Sequence, residues 1–592
     1  MTATEVIETN AKSAEITGGT SWPDRFVVRR ICRTLCIVFA IAQMWALRYQ
    51  MNPDGTVYVD IAKAYVRHDW SAALNSYWSP LYSWLIAMFL AVSHSGLAWE
   101  IPITHFIGAA GFLCSLAAWE LLFREWEKWQ GPPHCPVLME ITGYASLAWA
   151  GLWLIESYNS ADIFVMAAMI FVAALQVRIR RGAGSTRDFV LIGLTLGAAF
   201  LAKAAMAVMI PVTLIVLVLM PGSARNRRIG LAGGVALMVC APWIGALSIS
   251  QGRLTLGDAG RINYAWCVDW FTYEGEKDVI APNDDRSFES FRLLRNEPRV
   301  VSLTEHPAGT YPAHNSPQWW GRAYPARFAP LHELVVLRSG LINLLVTALS
   351  CPALWLALAC VFARAVKPLR DQARRLWFVL APAAAVTIGY WLVFVLSRYL
   401  AGAFALAAFS IIAAAWSIPL PDRIARYAAR AIPLLLVAVM SVQIGVVAFF
   451  CIGGLLGKAD PPNKQVVVLA SAMRQQGLRP GARVGYIGQP LEATWLGLTG
   501  ASIVEDIHAT IHQDNQKFDR PLTYTFEDTD RFWRGSAEER AEVLNLFRSA
   551  GARWIFADNI PPWADLREWR PVGPGHMWRK DALPNVYFRV LD

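Results

Sequence analysis

Residues 188–221, DFVLIGLTLGAAFLAKAAMAVMIPVTLIVLVLMP, carry one charge between Phe189 and Pro221, the ammonium of Lys203. About 20 apolar residues cross the hydrocarbon core of a bilayer. The stretch is too long for one span and is read as two short ones, 188–203 and 205–221, turning at Lys203. The whole chain has this character. Of its 592 residues, 55% are apolar and 17% charged, and the mean hydropathy is +0.34. About 45–50% and about 25% are usual in soluble proteins. An ordinary soluble enzyme is excluded.

Working outward, further spans are expected near 31–48, 100–123, 137–157, 162–178, 229–248, 339–362, 376–396, 399–417 and 431–454, eleven in all. The chain holds 54 Lys and Arg against 45 Asp and Glu, and this excess of +9 lies entirely before Lys458; beyond it, 17 of each sign balance. Basic charge set between long apolar runs belongs to membrane loops, not to a nucleic-acid-binding face. Eight of the nine cysteines lie in or beside apolar runs and only Cys267 lies in a polar loop, so no disulfide framework is expected.

One more apolar run, Pro80–Val92, is left over. If it stays out of the bilayer core, seventeen basic positions in five loops, from Arg124 to Arg430, fall on one side with Arg25, Arg29, Arg30 and Arg33. Only Lys203 and Arg398 face them across the membrane. The positive-inside rule then makes the rich side cytoplasmic. Pro80–Val92 is read as an interfacial or re-entrant helix, with Ser79 as its cap and Pro80 first in the helix.

The expected organisation is a disordered cytoplasmic tail (1–25) and a membrane domain (26–457) with external loops 49–99 and 249–338. An external α/β domain (458–592) follows. The first 25 residues are polar, and the apolar run after them starts too late and runs too long for a cleavable signal peptide. In the last domain, Asn463 is placed to cap a helix over 464–476, and Arg483–Ile487 reads as a strand. Ser536 and Glu539 form a capping box for 537–550, ahead of a strand over 553–557. Gly485-Tyr-Ile-Gly488 lacks the spacing of a dinucleotide loop, and Gly193-xxx-Gly197 reads as a helix-packing face.

Ionisable groups near membrane depth are costly and usually have a task. Asn52-Pro-Asp-Gly55 follows the first span, and its composition places Asp54 at a tight turn on the external surface. The amphipathic helix expected next, Thr56–His68, sets Asp60 and Lys63 one turn apart as a solvated pair. Ser157-Tyr-Asn-Ser-Ala-Asp162 brings a second acid, with Glu156 a third candidate. Ser160 and Asp162 have a bland alternative as helix caps. Asp54 and Asp162 have nothing obvious to neutralise them, while Lys203, Arg398-Tyr399 and Arg261, in Gly260-Arg-Ile-Asn-Tyr264, supply cations on the same side. The pattern describes a cavity with acids at one place and phosphate-sized cation sites at another. Asp506, His508, His512 and Asp514 are a weaker metal candidate, because a shared metal needs His508 and His512 on one helix. In the long loop, His306-Pro307, Tyr311-Pro312 and Trp319-Trp320 offer aromatic faces to a sugar, although packing is the commoner use of tryptophan.

These residues, in this order and on one side, resemble the GT-C-type integral-membrane glycosyltransferases. That group includes aminoarabinose-to-lipid A transferases, protein O-mannosyltransferases and arabinofuranosyltransferases. The matching residues are Asn52-Pro-Asp-Gly55, Tyr58, Trp78-Ser-Pro-Leu-Tyr82, Ser160-Ala-Asp162, Leu201-Ala-Lys203 and Arg398-Tyr399. The family often has Asp-Glu in the first loop, whereas Gly55 follows Asp54 here. The resemblance covers Arg25 to Lys458 and implies a mostly α, polytopic membrane fold with juxtamembrane helices; the C-terminal α/β domain is read from its own sequence and lies outside the resemblance.

It also implies transfer of a sugar from a polyprenyl-phosphate donor to an extracytoplasmic glycan, lipid or protein of the cell envelope, at a bacterial inner membrane. Asp54 would be the general base of an inverting reaction. Lys203, Arg398, Arg261 and Tyr399 would bind the donor phosphate, and Tyr58, Trp78, Tyr82, Asn263 and Tyr264 would contact substrate. Asp162 would hold the acceptor or a divalent cation; no other cofactor is called for. The competing classes are a transporter or flippase of an anionic or lipid-linked substrate and a non-catalytic polytopic scaffold. A transporter predicts charges at mid-membrane and repeated halves, which this chain lacks.

Overall fold

The computed structural model describes residues 24–93, 96–134, 136–155, 159–220, 226–268, 292–303, 309–311, 328–362, 370–371, 374–417, 422–512, 523–572 and 586–591. The N-terminal tail before Asp24, Glu156, His306-Pro307, Pro312, Trp319-Trp320 and Asp514 lie outside them.

Among the described residues, five helices are long and apolar enough to cross a membrane: Leu97–Gln130, Asp162–Arg180, Asn226–Gln251, Pro330–Leu349 and Ser397–Trp416. Other expected spans coincide with shorter apolar helices, including Ala204–Leu219 and Trp377–Trp391. The long helix Glu100–Gln130 packs along Asp162–Arg180 at the centre of the bundle, around Trp119, Trp126 and Phe409, all buried. Gly193 and Gly197 lie against Val235 and Val239 of Asn226–Gln251, the close helix packing read from their spacing.

Charge pairs show which loops share an end. Arg29 meets Glu140 at 2.6 Å and Arg33 meets Glu120 at 2.6 Å. Arg178 and Arg181 hold Glu125 at 3.0 and 2.7 Å. The first basic cluster therefore lies at the same end as the Arg178–Arg181 cluster, as the charge argument requires. Helix Pro80–Ser93 begins and ends at the other end. The Ser79 hydroxyl just before it accepts the Ala204 amide at 2.8 Å, and Glu100 just after it pairs with Lys63 at 2.6 Å. It does not cross the bundle.

The expected span 339–362 is two helices, Pro330–Leu349 and Pro352–Phe362, broken at Ser350-Cys351. Proline has no amide hydrogen and disfavours helix in the residue before it, so Pro352 ends one helix and starts the next. At the break, Thr347 Oγ1 lies 3.0 Å from Ser397 Oγ, beside Arg398. The first of these helices thus finishes at the end of the bundle that carries Arg398.

The α/β region contains strands β1 (Arg292–Asn296), β2 (Arg299–Ser302), β3 (Arg483–Gly488), β4 (Ser502–His508), β5 (Thr510–His512), β6 (Thr523–Thr525), β7 (Trp554–Ala557), β8 (Arg570–Pro571) and β9 (Tyr587–Val590). The main sheet runs β1-β2-β4-β3-β7-β9-β8, with β4, β3 and β7 parallel at its centre. Asn463 precedes helix Lys464–Gln475 without a side-chain cap, and the Ser536–Glu539 capping box forms as expected. The hairpin β1–β2 comes from the long loop, and β2 pairs antiparallel with β4. The sheet therefore draws strands from both sides of position 458. His508 and His512 lie on separate strands, β4 and β5, not on one helix.

Within β4, Glu505 is 2% exposed, and its Oε2 has no hydrogen-bond partner among the described residues. Burial, with the Asp506 charge adding to it, pushes the Glu505 carboxyl up to about 8. The folded chain holds this proton where the unfolded chain has lost it, so stability is greatest below the ordinary value of 4.5 and falls as pH rises toward 8. Thermal unfolding of the whole protein, followed by tryptophan fluorescence, is expected to show this decline. Glu505→Gln should flatten it.

Candidate active site

Four charged side chains meet at the end of the bundle away from the arginine clusters. Asp54 lies in the first turn of helix Pro53–Val66. The sequence predicts a turn at Asn52-Pro-Asp-Gly55, and the structure has a helix start instead. Asn52 is the cap, accepting the Gly55 amide at 2.8 Å, and Pro53 is the first helical residue. The same residue types serve both purposes. Because Asn52 caps, the Asp54 carboxylate is not spent on capping.

Asp162 opens helix Asp162–Arg180, and Ser160 donates to its side chain at 2.8 Å. Both acids thus sit at helix N-termini, where the helix dipole favours negative charge. Lys203 stands in extended conformation at the break between Thr186–Ala202 and the turn Ala204–Val208. Arg398 lies in the first turn of Ser397–Trp416.

The pairing is direct. Lys203 Nζ lies 2.5 Å from Asp162 Oδ1, and Arg398 Nη2 lies 2.5 Å from Asp54 Oδ2. Arg398 Nε also faces Asp162 Oδ2 at 3.8 Å, so one guanidinium bridges the two acids. The expectation of acids at one place and cations at another is corrected: each cation is matched to a carboxylate. Charges taken out of water at membrane depth hold only when paired. Exposure separates the two acids. The Asp54 side chain is 33% exposed and that of Asp162 only 3%, so Asp54 is the acid open to solvent.

Aromatic rings close the cluster. Lys203 Nζ lies 3.3 Å from the centre of the Tyr399 ring, a cation–π contact. Tyr390 stacks on Tyr399 with centroids 5.1 Å apart, and its buried hydroxyl has no hydrogen-bond partner among the described residues. Asn159 is 2% exposed, and its Oδ1 is likewise unpartnered. The sequence assigns no role to Tyr390 or Asn159; Tyr390 lies inside the expected span 376–396, eight residues before Arg398. A side chain on Gly55 would place its Cβ 2.8 Å from Asn159 Cβ. The missing side chain lets the two acidic segments touch and leaves no room for a larger residue at this position.

The other sequence candidates spread around this centre. Arg261 lies 3.4 Å from Asp258, on helix Ala259–Cys267, which packs beside the 204–208 turn. Asn263 accepts from the Tyr77 hydroxyl at 3.0 Å, and the Tyr264 hydroxyl donates to Glu333 at 3.3 Å. Tyr58 packs edge-on against both Trp78 and Tyr82, each at 5.0 Å. Tyr82 is 1% exposed and its hydroxyl donates to the Thr104 carbonyl, so in this structure it packs and does not face an open surface. Asp60, expected to pair with Lys63, instead accepts from Thr310. Among the described residues no group of three or more His, Cys, Asp or Glu is placed to hold a metal ion.

No protein-family model and no curated protein matches the chain. Solved structures do. ArnT, an aminoarabinose lipid A transferase from Cupriavidus metallidurans, bound to undecaprenyl phosphate, is similar at a TM-score of 0.53 and 14% identity, over 95% of this chain and 98% of that one. The apo state of ArnT gives 0.47 and 13% over 95% and 97%. The oligosaccharyltransferase AglB from Archaeoglobus fulgidus, in complex with an inhibitory peptide and a dolichol-phosphate, gives 0.44 and 13% over 90% and 69%. The likeness to the lipid-bound ArnT shows that the chain has the GT-C fold.

The buried pairs make a stability prediction. Removing one partner of such a pair typically costs about 3–5 kcal/mol. Asp162→Asn is expected to lower the melting temperature in detergent, because Lys203 and Arg398 then share one acid. Adding Lys203→Met should restore much of the loss. Equal melting curves for Asp162→Asn and wild type would show that the pair contributes nothing.

Proposed function

We propose that the chain is a membrane glycosyltransferase that moves a sugar from a polyprenyl-phosphate donor to an extracytoplasmic acceptor, with inversion. The observation that carries this reading is the Asp54–Arg398–Asp162–Lys203 cluster, in which a single reachable acid stands beside two cations. The undecaprenyl phosphate held by the similar ArnT structure supports the donor class. The arginine clusters at the opposite end support an external site through the positive-inside rule. With them go a bacterial inner-membrane location and an external α/β domain.

The cluster holds two negative and two positive groups, so it is balanced before substrate arrives. The phosphodiester of the donor brings one negative charge, and the departing polyprenyl phosphate carries two. Lys203 and Arg398 would turn toward that phosphate as its charge grows, which loosens Arg398 from Asp54. Tyr399 and the unpartnered hydroxyl of Tyr390 would complete the phosphate site, with Arg261 behind them. Asp54 would then accept the proton of the acceptor hydroxyl while its oxygen bonds to the anomeric carbon. The bond from that carbon to the phosphate oxygen breaks on the opposite face, and the electron pair leaves with the phosphate. Asp162, at 3% exposure, would keep Lys203 and Arg398 in place and is too buried for the acceptor contact expected of it. Tyr58, Trp78, Asn263 and Tyr264 are proposed substrate contacts.

The test is transfer itself. Purified protein is given undecaprenyl phosphate carrying glucose, mannose, arabinose or aminoarabinose in turn, with an envelope extract as acceptor, and released undecaprenyl phosphate is measured. General-base help is worth about 10²–10⁴-fold, so Asp54→Asn should lose at least about 100-fold in rate while still binding undecaprenyl phosphate. A rate above about a tenth of wild type in that variant rules Asp54 out as the base.

A further inference from the structure

Helix Pro53–Val66 carries Asp54 at its start and is gripped farther along by groups from three distant parts of the chain. Asp60 accepts the Thr310 amide at 2.7 Å and the Thr310 hydroxyl at 3.2 Å. The Thr310 carbonyl in turn accepts the Ile503 amide of β4 at 3.0 Å, and the neighbouring Tyr311 hydroxyl donates to Asp506 at 2.7 Å. One helical turn past Asp60, Lys63 donates to the Gly497 carbonyl at 3.0 Å and pairs with Glu100 at 2.6 Å. Gly497 lies where these parts converge. A Cβ there would stand 2.8 Å from Thr310 Oγ1 and 3.0 Å from Thr56 Cγ2.

We infer that Asp60 and Lys63 are positioning residues, through which the α/β domain and the long loop set the angle of the helix that carries Asp54. The inference rests on the reading of Asp54 as the base. A lone aspartate pairing with a solvated lysine would not need this arrangement. Here the carboxylate of Asp60 accepts from a loop residue that is itself hydrogen-bonded to the central sheet. Asp54 precedes Asp60 by six residues, about 9 Å of helix. Over that lever, a tilt of about 6° moves Asp54 by about 1 Å, a displacement that can cost about 100-fold in rate.

Three variants test this in the full-length protein: Asp60→Ala, Asp60→Asn and Gly497→Ala. Each is assayed with the most active of the undecaprenyl-phosphate donors named above and by hydrogen exchange of the amides from Asp54 to Thr56. Asp60→Ala should lower kcat by about 10–100-fold with the donor KM within about twofold, and should speed exchange in the first turn. Asp60→Asn keeps an acceptor oxygen for the Thr310 amide and should return kcat to within about threefold of wild type. Gly497→Ala should behave like Asp60→Ala. In an Asp54→Asn background, Asp60→Ala should add no further loss, because both act through one carboxylate. The inference is overturned by unchanged exchange in Asp60→Ala, by faster exchange with unchanged kcat, or by a full additional loss on top of Asp54→Asn. Failure of the base reading shows separately, as activity retained in Asp54→Asn alone.

Discussion

One guanidinium between two carboxylates sets the terms for the rest of the molecule. Arg398 reaches Asp54 and Asp162 together, and Lys203 takes the remaining oxygen of Asp162. Opposite charges at this depth attract strongly, and any one left alone is severely penalised. The four groups come from four separate elements, so those elements must all end at one level. The chain is interrupted where each is needed: at Pro53, at Asp162, at the extended Lys203 and at Ser397. Helix ends that would otherwise be costly inside a bundle coincide with the place where polar backbone and charge help one another.

The members of this cluster were legible in the sequence because ionisable residues are rare in apolar runs. Lys203 stands out for that reason, while Asp54, Asp162 and Arg398 stand out as charges at the ends of apolar spans. Their pairing was not legible, since it depends on which helix ends are neighbours. The same limit applies to Asp60: its partner Thr310 lies 250 residues away, whereas the i,i+3 partner Lys63 was in plain view. At Asn52-Pro-Asp-Gly55, turn and helix start use the same residue types, so the spacing alone did not separate them.

Most of the membrane helices could be placed from hydropathy, and the break at Ser350–Pro352 shows what hydropathy misses. A window of mean apolarity runs through a helix end without noticing it. The proline was visible, but prolines also sit inside helices here, at Pro242 and Pro382. In the α/β region, the Ser536–Glu539 capping box and the strand patterns were local and therefore readable, whereas Asn463 makes no side-chain cap. Tyr390 gave no signal, because an aromatic ring inside an apolar span most often serves packing.

The hairpin β1–β2 has a consequence for how the protein is made. It borders β4, so it covers what would be an open edge of the parallel centre, a natural template for stray pairing. Its two strands are synthesised well before the strand they shield, with the last membrane crossings still to be inserted between them. Until those helices are in the bilayer and the C-terminal chain has been delivered beside it, the hairpin has no sheet to join. Completion of the sheet thus reports that the final helices went in the right way round, and a chain inserted with the wrong topology would leave both halves unmatched on opposite sides of the lipid.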